Sequence, residues 1–190
     1  RNLLTDDTDG STKAEVLFGY AQARSALPSE GDFQRLLDLM GEAYQAFKSV
    51  GDYQRAVSVA AKLTINVIRY SLGADVLLRD SLQHAAENSA ERARILALFG
   101  DVTYLQAGSE EEASQALDES LKLADHLNDK PVQALVLRVQ SEVSSRNLNF
   151  DDARSKSDQA INLAAQVGDG NSAALAFETA ANLNWTTCDL

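Results

Sequence analysis

Residues that break helices are scarce in this sequence. Its 190 residues include only 2 prolines and 10 glycines. Ala, Leu, Glu, Gln and Arg are common instead, and these residues lose little conformational freedom on entering a helix. Alternating β-branched residues, which would indicate strands, are nearly missing as well. The sequence therefore predicts an all-α fold.

Cysteine is also scarce, since Cys188 is the only one. A single thiol cannot form a disulfide framework or a cysteine-based metal site, and this composition fits a reducing compartment such as the cytoplasm. No apolar run approaches the roughly 20 residues that a membrane-spanning helix needs, and the N-terminal residues lack the pattern of a signal peptide. The chain begins with Arg1 rather than Met, so we expect it to be part of a larger protein.

Basic residues are outnumbered by acidic ones. The sequence has 17 Lys and Arg against 28 Asp and Glu, a formal net charge of −11. A surface of that sign repels phosphate groups, so neither nucleic acid nor a membrane surface is an expected partner. A basic peptide or protein would be attracted. A simpler interpretation is that the charge only keeps a long helical surface soluble.

Residue patterns that carry catalysis are missing too. The two histidines, His84 and His126, do not have a metal-ligand spacing, and no Gly-rich phosphate loop occurs. The run from Glu110 to Glu112 opens a predicted helix, where exposed N–H groups favour negative charge. We therefore expect neither an enzyme nor a cofactor or metal site.

An internal repeat is the most informative pattern that is present. Four segments beginning at Gly41, Arg79, Asp118 and Asp158 align without gaps, at successive offsets of 38, 39 and 40 residues. The aligned positions alternate between small and large apolar residues with the spacing of one helix face, so each copy predicts a helix with a packing stripe. The aligned sets are Leu36, Ala74, Ala113 and Ala153; Met40, Leu78, Leu117 and Ser157; Ala43, Ser81, Ser120 and Ala160; Tyr44, Leu82, Leu121 and Ile161; and Phe47, Ala85, Ala124 and Ala164.

Other amphipathic stretches lie between these helices, and Asp52 and Asp129 are suited to cap the helices that follow them. Helical pairs that cannot bury their apolar faces alone stack on one another, which predicts a solenoid; a compact four-helix bundle is the rival fold. The interposed stretches are 12–27, 53–70, 91–107, 131–146 and 172–185. The predicted organisation is a flexible acidic lead-in at 1–11, helical hairpins at 12–50, 52–88, 90–127 and 130–167, and a last helix at 171–185.

The repeat resembles the tetratricopeptide motif. Its second half matches Ala113-x3-Leu117-x2-Ser120 and Ala153-x3-Ser157-x2-Ala160, and the apolar-Gly pair of its first half resembles Phe18-Gly19 and Phe99-Gly100. The copies exceed the family's usual length of about 34 residues. Their endings, such as Leu163-Ala164 followed by Gly168-Asp169, are similar to those of MalT-like bacterial regulators, kinesin light chains and LGN/Pins spindle adaptors. HEAT-type repeats are the alternative.

The resemblance implies a right-handed α-α superhelix whose concave face, lined by the first helix of each hairpin, binds a partner. Candidate binding residues are polar or aromatic positions on those helices that miss the apolar stripe, which includes Ile95, Leu98 and Phe99 in one helix. The pattern of a carboxylate clamp is not reproduced. The candidates are Asn66, Arg69, Arg94, Asp101, Tyr104, Arg138, Ser141 and Asn182.

These patterns favour a protein–protein interaction scaffold, and the alternative is the effector- or inhibitor-sensing domain of a MalT-like signal-transducing regulator. The last helix, near Trp185, is a candidate for self-association because its apolar residues have no helix after them to cover them. We further expect Leu121→Asp to unfold the array, and Arg138→Ala to leave its helicity intact.

Overall fold

The computed structural model describes residues 9–25, 32–107, 109–168 and 170–187, apart from the side chains of residues 25, 107, 170–172 and 187. These residues contain ten α-helices and one π-helical turn, and no strand, so the all-α prediction is confirmed for them. The chain divides into two compact units, Arg1–Glu87 and Asn88–Leu190. Most of the predicted lead-in at 1–11, as well as Cys188, lies outside the described residues.

The first unit contains five helices. The first helix packs against the second, the second against the third and fourth, and the fifth against the third and fourth. Helix α1 begins two residues before the predicted start, where the carboxylate of Asp9 accepts hydrogen bonds from the N–H groups of Ser11 and Thr12. The helices are α1 (Gly10–Ser25), α2 (Phe33–Ser49), α3 (Tyr53–Ala61), α4 (Ile65–Arg69) and α5 (Ala74–Leu82).

The stretch 53–70, predicted as one helix, forms two. Thr64 adopts an extended conformation, with φ −96° and ψ 156°, and its hydroxyl accepts a hydrogen bond from the N–H of Val67. The Thr64 hydroxyl caps the first turn of α4, and this hydrogen bond compensates for the backbone hydrogen bonds lost where α3 ends. The turn between the two helices also buries Leu63. The second hairpin is further shortened because α5 ends at Leu82 rather than near residue 88.

The second unit agrees more closely with the predicted pairs of helices. Each helix packs against the next, and α8 also lies beside α6 and α10. Asp129 caps α8 as expected, accepting a hydrogen bond from the N–H of Val132, in the same way as Asp52 caps α3. The elements are α6 (Ala90–Val102), a π-helical turn (Thr103–Ala107), α7 (Glu110–Leu127), α8 (Lys130–Arg146), α9 (Phe150–Val167) and α10 (Gly170–Thr187).

The aligned small residues are fully buried in the cores of both units. Ala43, Ser81, Ser120 and Ala160 are each 0% exposed, and Ser120 donates a hydrogen bond of 2.6 Å to the carbonyl of Ala93 on the neighbouring helix. Such closeness is possible only because these side chains are small. The predicted packing stripe is therefore confirmed, except that Leu82, Leu121 and Ile161 are only half-buried.

The lengths and compositions of the helices bear on membrane association. Among the described residues, no helix is both long and apolar enough to cross a membrane.

Candidate binding site

Three of the predicted binding residues lie in the interior of the second unit. Asp101 is 1% exposed, Arg138 3% and Ser141 0%. The expectation that they project away from the packed face is wrong, because α6 and α8 are covered on two sides: each contacts the other, and each also packs against α7 or α9. Ser141 shows this directly, since its hydroxyl donates a 2.6 Å hydrogen bond to the carbonyl of Ala153 on α9.

Asp101 and Arg138 form a buried ion pair between α6 and α8. The Nη2 atom of Arg138 lies 3.3 Å from a carboxylate oxygen of Asp101, and its Nη1 atom lies 3.3 Å from Glu142, one turn further along α8. Charges buried this deeply are tolerated only when they are paired, because removing each from water costs several kcal/mol. The pair therefore restricts how α6 and α8 can be placed against each other.

The charged cluster continues outward from this pair to the surface. Arg146 lies 3.6 Å from Glu142 and places its guanidinium 5.5 Å from the centre of the Tyr104 ring, a cation–π contact. Burial raises the pKa of the Tyr104 hydroxyl; the charge of Arg146 opposes this shift, while Glu110 and Glu142 add to it. Tyr104 therefore stays protonated, and its hydroxyl remains a hydrogen-bond donor at neutral pH.

Tyr104 owes its position to an irregular backbone. It belongs to the π-helical turn Thr103–Ala107, which follows directly on α6. In a π-helical turn each N–H bonds five residues back, so the turn is wider and side chains rotate relative to the preceding helix. Turns of this kind are frequent at functional sites.

A cavity of 270 Å³ opens beside Tyr104, within the second unit. Its lining comes from the π-helical turn, α7, α8 and α9, and combines a small apolar floor with a polar rim. Such a combination gives a pocket both affinity and orientation. The lining residues are Tyr104, Glu110, Ala113, Ser114, Leu117, Asp118, Gln140, Val143, Ser144, Asn147 and Lys156.

Two carboxylates dominate the rim of this pocket. Glu110 accepts a hydrogen bond of 2.6 Å from the amide of Asn147, and Asp118 accepts one of 3.1 Å from the amide of Gln140. A carboxylate has about four lone-pair sites, so both groups can accept further hydrogen bonds. The amides hold the carboxylates in place without neutralising them.

The one basic residue in the lining is itself paired. Lys156 lies 2.6 Å from Asp152, and the hydroxyl of Ser144 donates to the same carboxylate. The contact with Lys156 lowers the pKa of Asp152, and the bond from Ser144 lowers it further. The charge of Lys156 is thus balanced by Asp152, and the rim remains acidic through Glu110 and Asp118.

Sequence reasoning included only Tyr104 from this pocket. The sequence predicts binding residues on the first helix of each hairpin, whereas Glu110 and Asp118 lie on α7, the second helix of its hairpin. Glu110 was interpreted only as a charge at a helix start. Asp118 directly follows the aligned Leu117 in the sequence, but its closeness to Gln140 depends on how α7 and α8 pack.

The other predicted binding residues do not join this pocket. Asn182, on α10, is exposed, and Arg94, on α6, is half-buried. In the first unit, Asn66 is exposed and Arg69 half-buried, both on the short helix α4. The part that these four residues take in binding stays a prediction.

The first unit has a polar cluster that sequence reasoning missed. Asp80 on α5 accepts hydrogen bonds from the Tyr44 hydroxyl, at 2.7 Å, and from Lys48, at 2.6 Å, both on α2. The hydrogen bond from Lys48 lowers the pKa of Asp80 most, and the bond from Tyr44 adds to this; burial raises the pKa of Tyr44. The cluster joins two helices, and its groups use their hydrogen bonds on one another, so we regard it as structural.

The first unit also has an open groove of 690 Å³ between α1 and α2. Its lining is largely apolar, and its charged groups, Lys13 and Glu42, are exposed. It lacks the fixed polar groups that orient a ligand. The pocket beside Tyr104 is therefore the better candidate for a specific site.

Comparison with known proteins adds nothing to these observations. No protein-family model matches the chain, and no curated protein matches its sequence.

Proposed function

We propose that this chain is a protein-interaction scaffold of the tetratricopeptide kind, with its hairpins in a right-handed superhelix, and that it binds a basic segment of a partner protein. The observation that carries the proposal is the polar pocket beside Tyr104 in the second unit, with Glu110 and Asp118 on its rim. A Lys or Arg side chain of the partner fits there, since its alkyl part meets the apolar floor and its charge meets the two carboxylates.

The repeat supports the scaffold part of this proposal. The small residues aligned in the sequence are buried between neighbouring helices, and in the second unit α8 lies beside α6 and α10, as expected for stacked hairpins. The net charge of −11 supports a positively charged partner, because it attracts a basic molecule and speeds the encounter with it. A location in the cytoplasm belongs to the same proposal.

Sensing of a small effector, as in a MalT-like regulator, is less well supported. Pockets for small molecules usually measure about 300–1,000 Å³. The pocket beside Tyr104 measures 270 Å³, and it opens to the surface between helices of two hairpins. It therefore suits one side chain of a longer partner better than a whole effector.

Selection from a display library of random peptides, followed by titration of the enriched peptides, tests the proposal. We expect enriched sequences to contain Lys or Arg, and their affinity to fall as salt is added because exposed charges are screened. The double variant Glu110→Gln/Asp118→Asn should weaken binding by about tenfold or more, a change of roughly 1.4 kcal/mol.

A matched control is the double variant Glu111→Gln/Asp158→Asn. Both of these carboxylates are exposed, and neither lines the pocket. The control removes the same two charges from the surface, so it lowers the long-range attraction equally and leaves the pocket intact. Equal loss of affinity in both double variants, or enrichment of acidic peptides, would contradict the proposed site.

A further inference from the structure

Two hydrogen bonds cross the pocket beside Tyr104, one at each end. Glu110 accepts from Asn147, and Asp118 accepts from Gln140. From the first pair to the second, the residue number rises on α7 and falls on the α8 side, so these two helices run antiparallel and the pairs mark opposite ends of the pocket. The lining residues of α7 and α8 that lie between the two pairs are Ala113, Ser114, Leu117, Val143 and Ser144.

The separation of the two carboxylates follows from helix geometry. Glu110 and Asp118 are eight residues apart on α7, which corresponds to about 12 Å along the helix. The amides that hold them, from Asn147 and Gln140, are seven residues apart at the end of α8, which corresponds to about 10 Å. A single ammonium group is attracted by both carboxylates, but it can hydrogen-bond to only one, because such a bond is about 3 Å long. The other carboxylate is left for a second positive charge.

The remaining groups of the pocket restrict the chemistry of a ligand further. The floor between the two ends is apolar. Lys156, the basic residue of the lining, lies 2.6 Å from Asp152, and the ring of Tyr104 already has the guanidinium of Arg146 at 5.5 Å. The two end carboxylates are therefore the lining groups with which a charged ligand can pair. The pocket favours a ligand that is positive at both ends and apolar between them.

A lysine at the N-terminus of a peptide has this distribution of charge. Its α-amino group and its side-chain ammonium group both carry a proton at neutral pH. Extended methylene groups between them place the two nitrogen atoms up to about 7.5 Å apart. With a hydrogen bond of about 3 Å to a carboxylate at each end, the residue reaches about 13 Å. A slightly bent N-terminal lysine thus spans the distance between Glu110 and Asp118.

Basic residues inside a chain fit the pocket less well. An internal lysine brings one positive charge, because its α-nitrogen belongs to a neutral amide. Two lysines of one internal segment bring two charges but also two alkyl chains, and a pocket of 270 Å³ suits one. A free N-terminus adds the second charge without adding a second side chain.

We propose that the pocket beside Tyr104 recognises the free N-terminus of a partner chain that begins with lysine. The α-amino group pairs with one of the carboxylates Glu110 and Asp118, and the side-chain ammonium group pairs with the other. Ser114, exposed at the rim, can donate a hydrogen bond to the carbonyl of the partner's first residue. This inference rests on the function proposed above and specifies which basic residue the partner presents.

Three short peptides test the inference by calorimetric titration of the whole chain. The first begins with a free lysine followed by uncharged residues, and the second is the same peptide with an acetyl group on its α-amino nitrogen. The third has the same composition and a free N-terminus, but its lysine is moved several residues along. We expect the first peptide to bind at least about tenfold more tightly than the second and the third.

Single variants connect the effect of acetylation with the two carboxylates. Glu110→Gln and Asp118→Asn each remove the partner of one positive charge. In the variant that lacks the partner of the α-amino group, acetylation should weaken binding by less than about threefold, since the two changes remove the same contact. Glu111→Gln is the matched control: Glu111 is exposed on α7 and does not line the pocket, so the full effect of acetylation should remain.

The outcomes distinguish this inference from the function on which it rests. Equal binding of the first two peptides, weakened in both by Glu110→Gln/Asp118→Asn, would overturn the N-terminal inference and support a site for an internal basic residue. The inference is also wrong if moving the lysine leaves the affinity unchanged, or if acetylation keeps its full effect in both single variants. If no peptide binds and the display library yields no basic sequence, the proposed function fails as well.

Discussion

Gly100 of α6 lies so close to Leu117 of α7 that a β-carbon at residue 100 would be 2.7 Å from the Leu117 Cγ atom. The same β-carbon would be 3.1 Å from the carbonyl oxygen of Ala113, which is backbone and cannot move aside easily. Both Leu117 and Ala113 belong to the aligned stripe of α7. A glycine at this position thus allows the two helices of one hairpin to approach closely.

We expect Gly100→Ala to lower the free energy of unfolding by about 1–3 kcal/mol, the usual cost of overpacking a core. Gly19→Ala is the matched control, because Gly19 also follows a phenylalanine within a helix but has no atom within 4 Å of its added β-carbon. There, alanine should stabilise the chain by about 0.5–1 kcal/mol through its better helix propensity. Denaturant unfolding followed by circular dichroism measures both, and a destabilising Gly19→Ala would contradict this explanation.

The buried ion pair gives a second prediction. Asp101→Leu removes the buried carboxylate that lies 3.3 Å from the guanidinium of Arg138. We expect a loss of roughly 3 kcal/mol in unfolding free energy, because the buried charge of Arg138 is then less well compensated. The double variant Asp101→Leu/Arg138→Met should recover most of that loss, because an apolar pair of similar size avoids the cost of burying charge.

Arg146→Met is the control for this comparison, since Arg146 is half-exposed and its ion pair should contribute less than about 1 kcal/mol. The burial of Arg138 also changes an expectation from the sequence: Arg138→Ala should destabilise the second unit rather than leave it intact. A similar unfolding free energy for Asp101→Leu and for the parent chain would contradict the role given to the pair.

The Asp80 cluster predicts a dependence of stability on pH. The hydrogen bond from Lys48 holds the pKa of Asp80 below its unfolded value of about 3.9. The contribution of Asp80 to the free energy of unfolding is therefore fully present above the pKa of the unfolded chain. It is lost as the pH falls through the lower pKa that Asp80 has in the folded chain. We expect Asp80→Asn to destabilise the chain by about 1 kcal/mol at pH 7, a modest figure because the pair is partly solvated.

Unfolding curves at pH 7 and near pH 2 check this expectation, since the two chains should become equally stable in acid. In a Lys48→Met background the effect of Asp80→Asn at pH 7 should shrink, because the main partner of the carboxylate is gone. A difference between Asp80→Asn and its parent that persisted unchanged in acid would have another cause.

Thr103 gives a fourth prediction, at the start of the π-helical turn. Its side chain is fully buried, and its hydroxyl has no hydrogen-bond partner among the described residues. Thr103→Val keeps the shape and removes the unsatisfied group, so we expect a gain of about 1 kcal/mol in unfolding free energy. Thr103→Ala should lose stability instead, because it leaves a small cavity. Equal changes in both variants would show that the hydroxyl has no part in the effect.

Local rules recovered most of the helices from the sequence. Asp52 and Asp129 cap helices as predicted, since a side-chain oxygen reaches an N–H only two or three residues away. The break at Thr64 was missed because no glycine or proline marks it. Thr64 tolerates both a helical and an extended conformation, and burial of Leu63 in the first unit favours the second.

The candidate site was harder to predict than the helices. Asp101 and Arg138 are polar residues that miss the apolar stripe of their helices, which predicted an exposed position; their pairing across two helices makes burial possible. Glu110 and Asp118 were passed over because their polar neighbours, Asn147 and Gln140, follow them by 37 and 22 residues in the chain.

What the sequence by itself determined is the helical character of the chain and the identity of the buried stripe. Both depend on the sizes of side chains that are three and four residues apart. That spacing defines one face of any helix, so it applies wherever a helix packs. Only the tertiary structure decided that Gly100 is a contact and Gly19 is not, that Asp101 and Arg138 pair, and that Glu110 and Asp118 line one pocket. Each of these depends on the distance between helices, and that distance results from all the side chains that meet there.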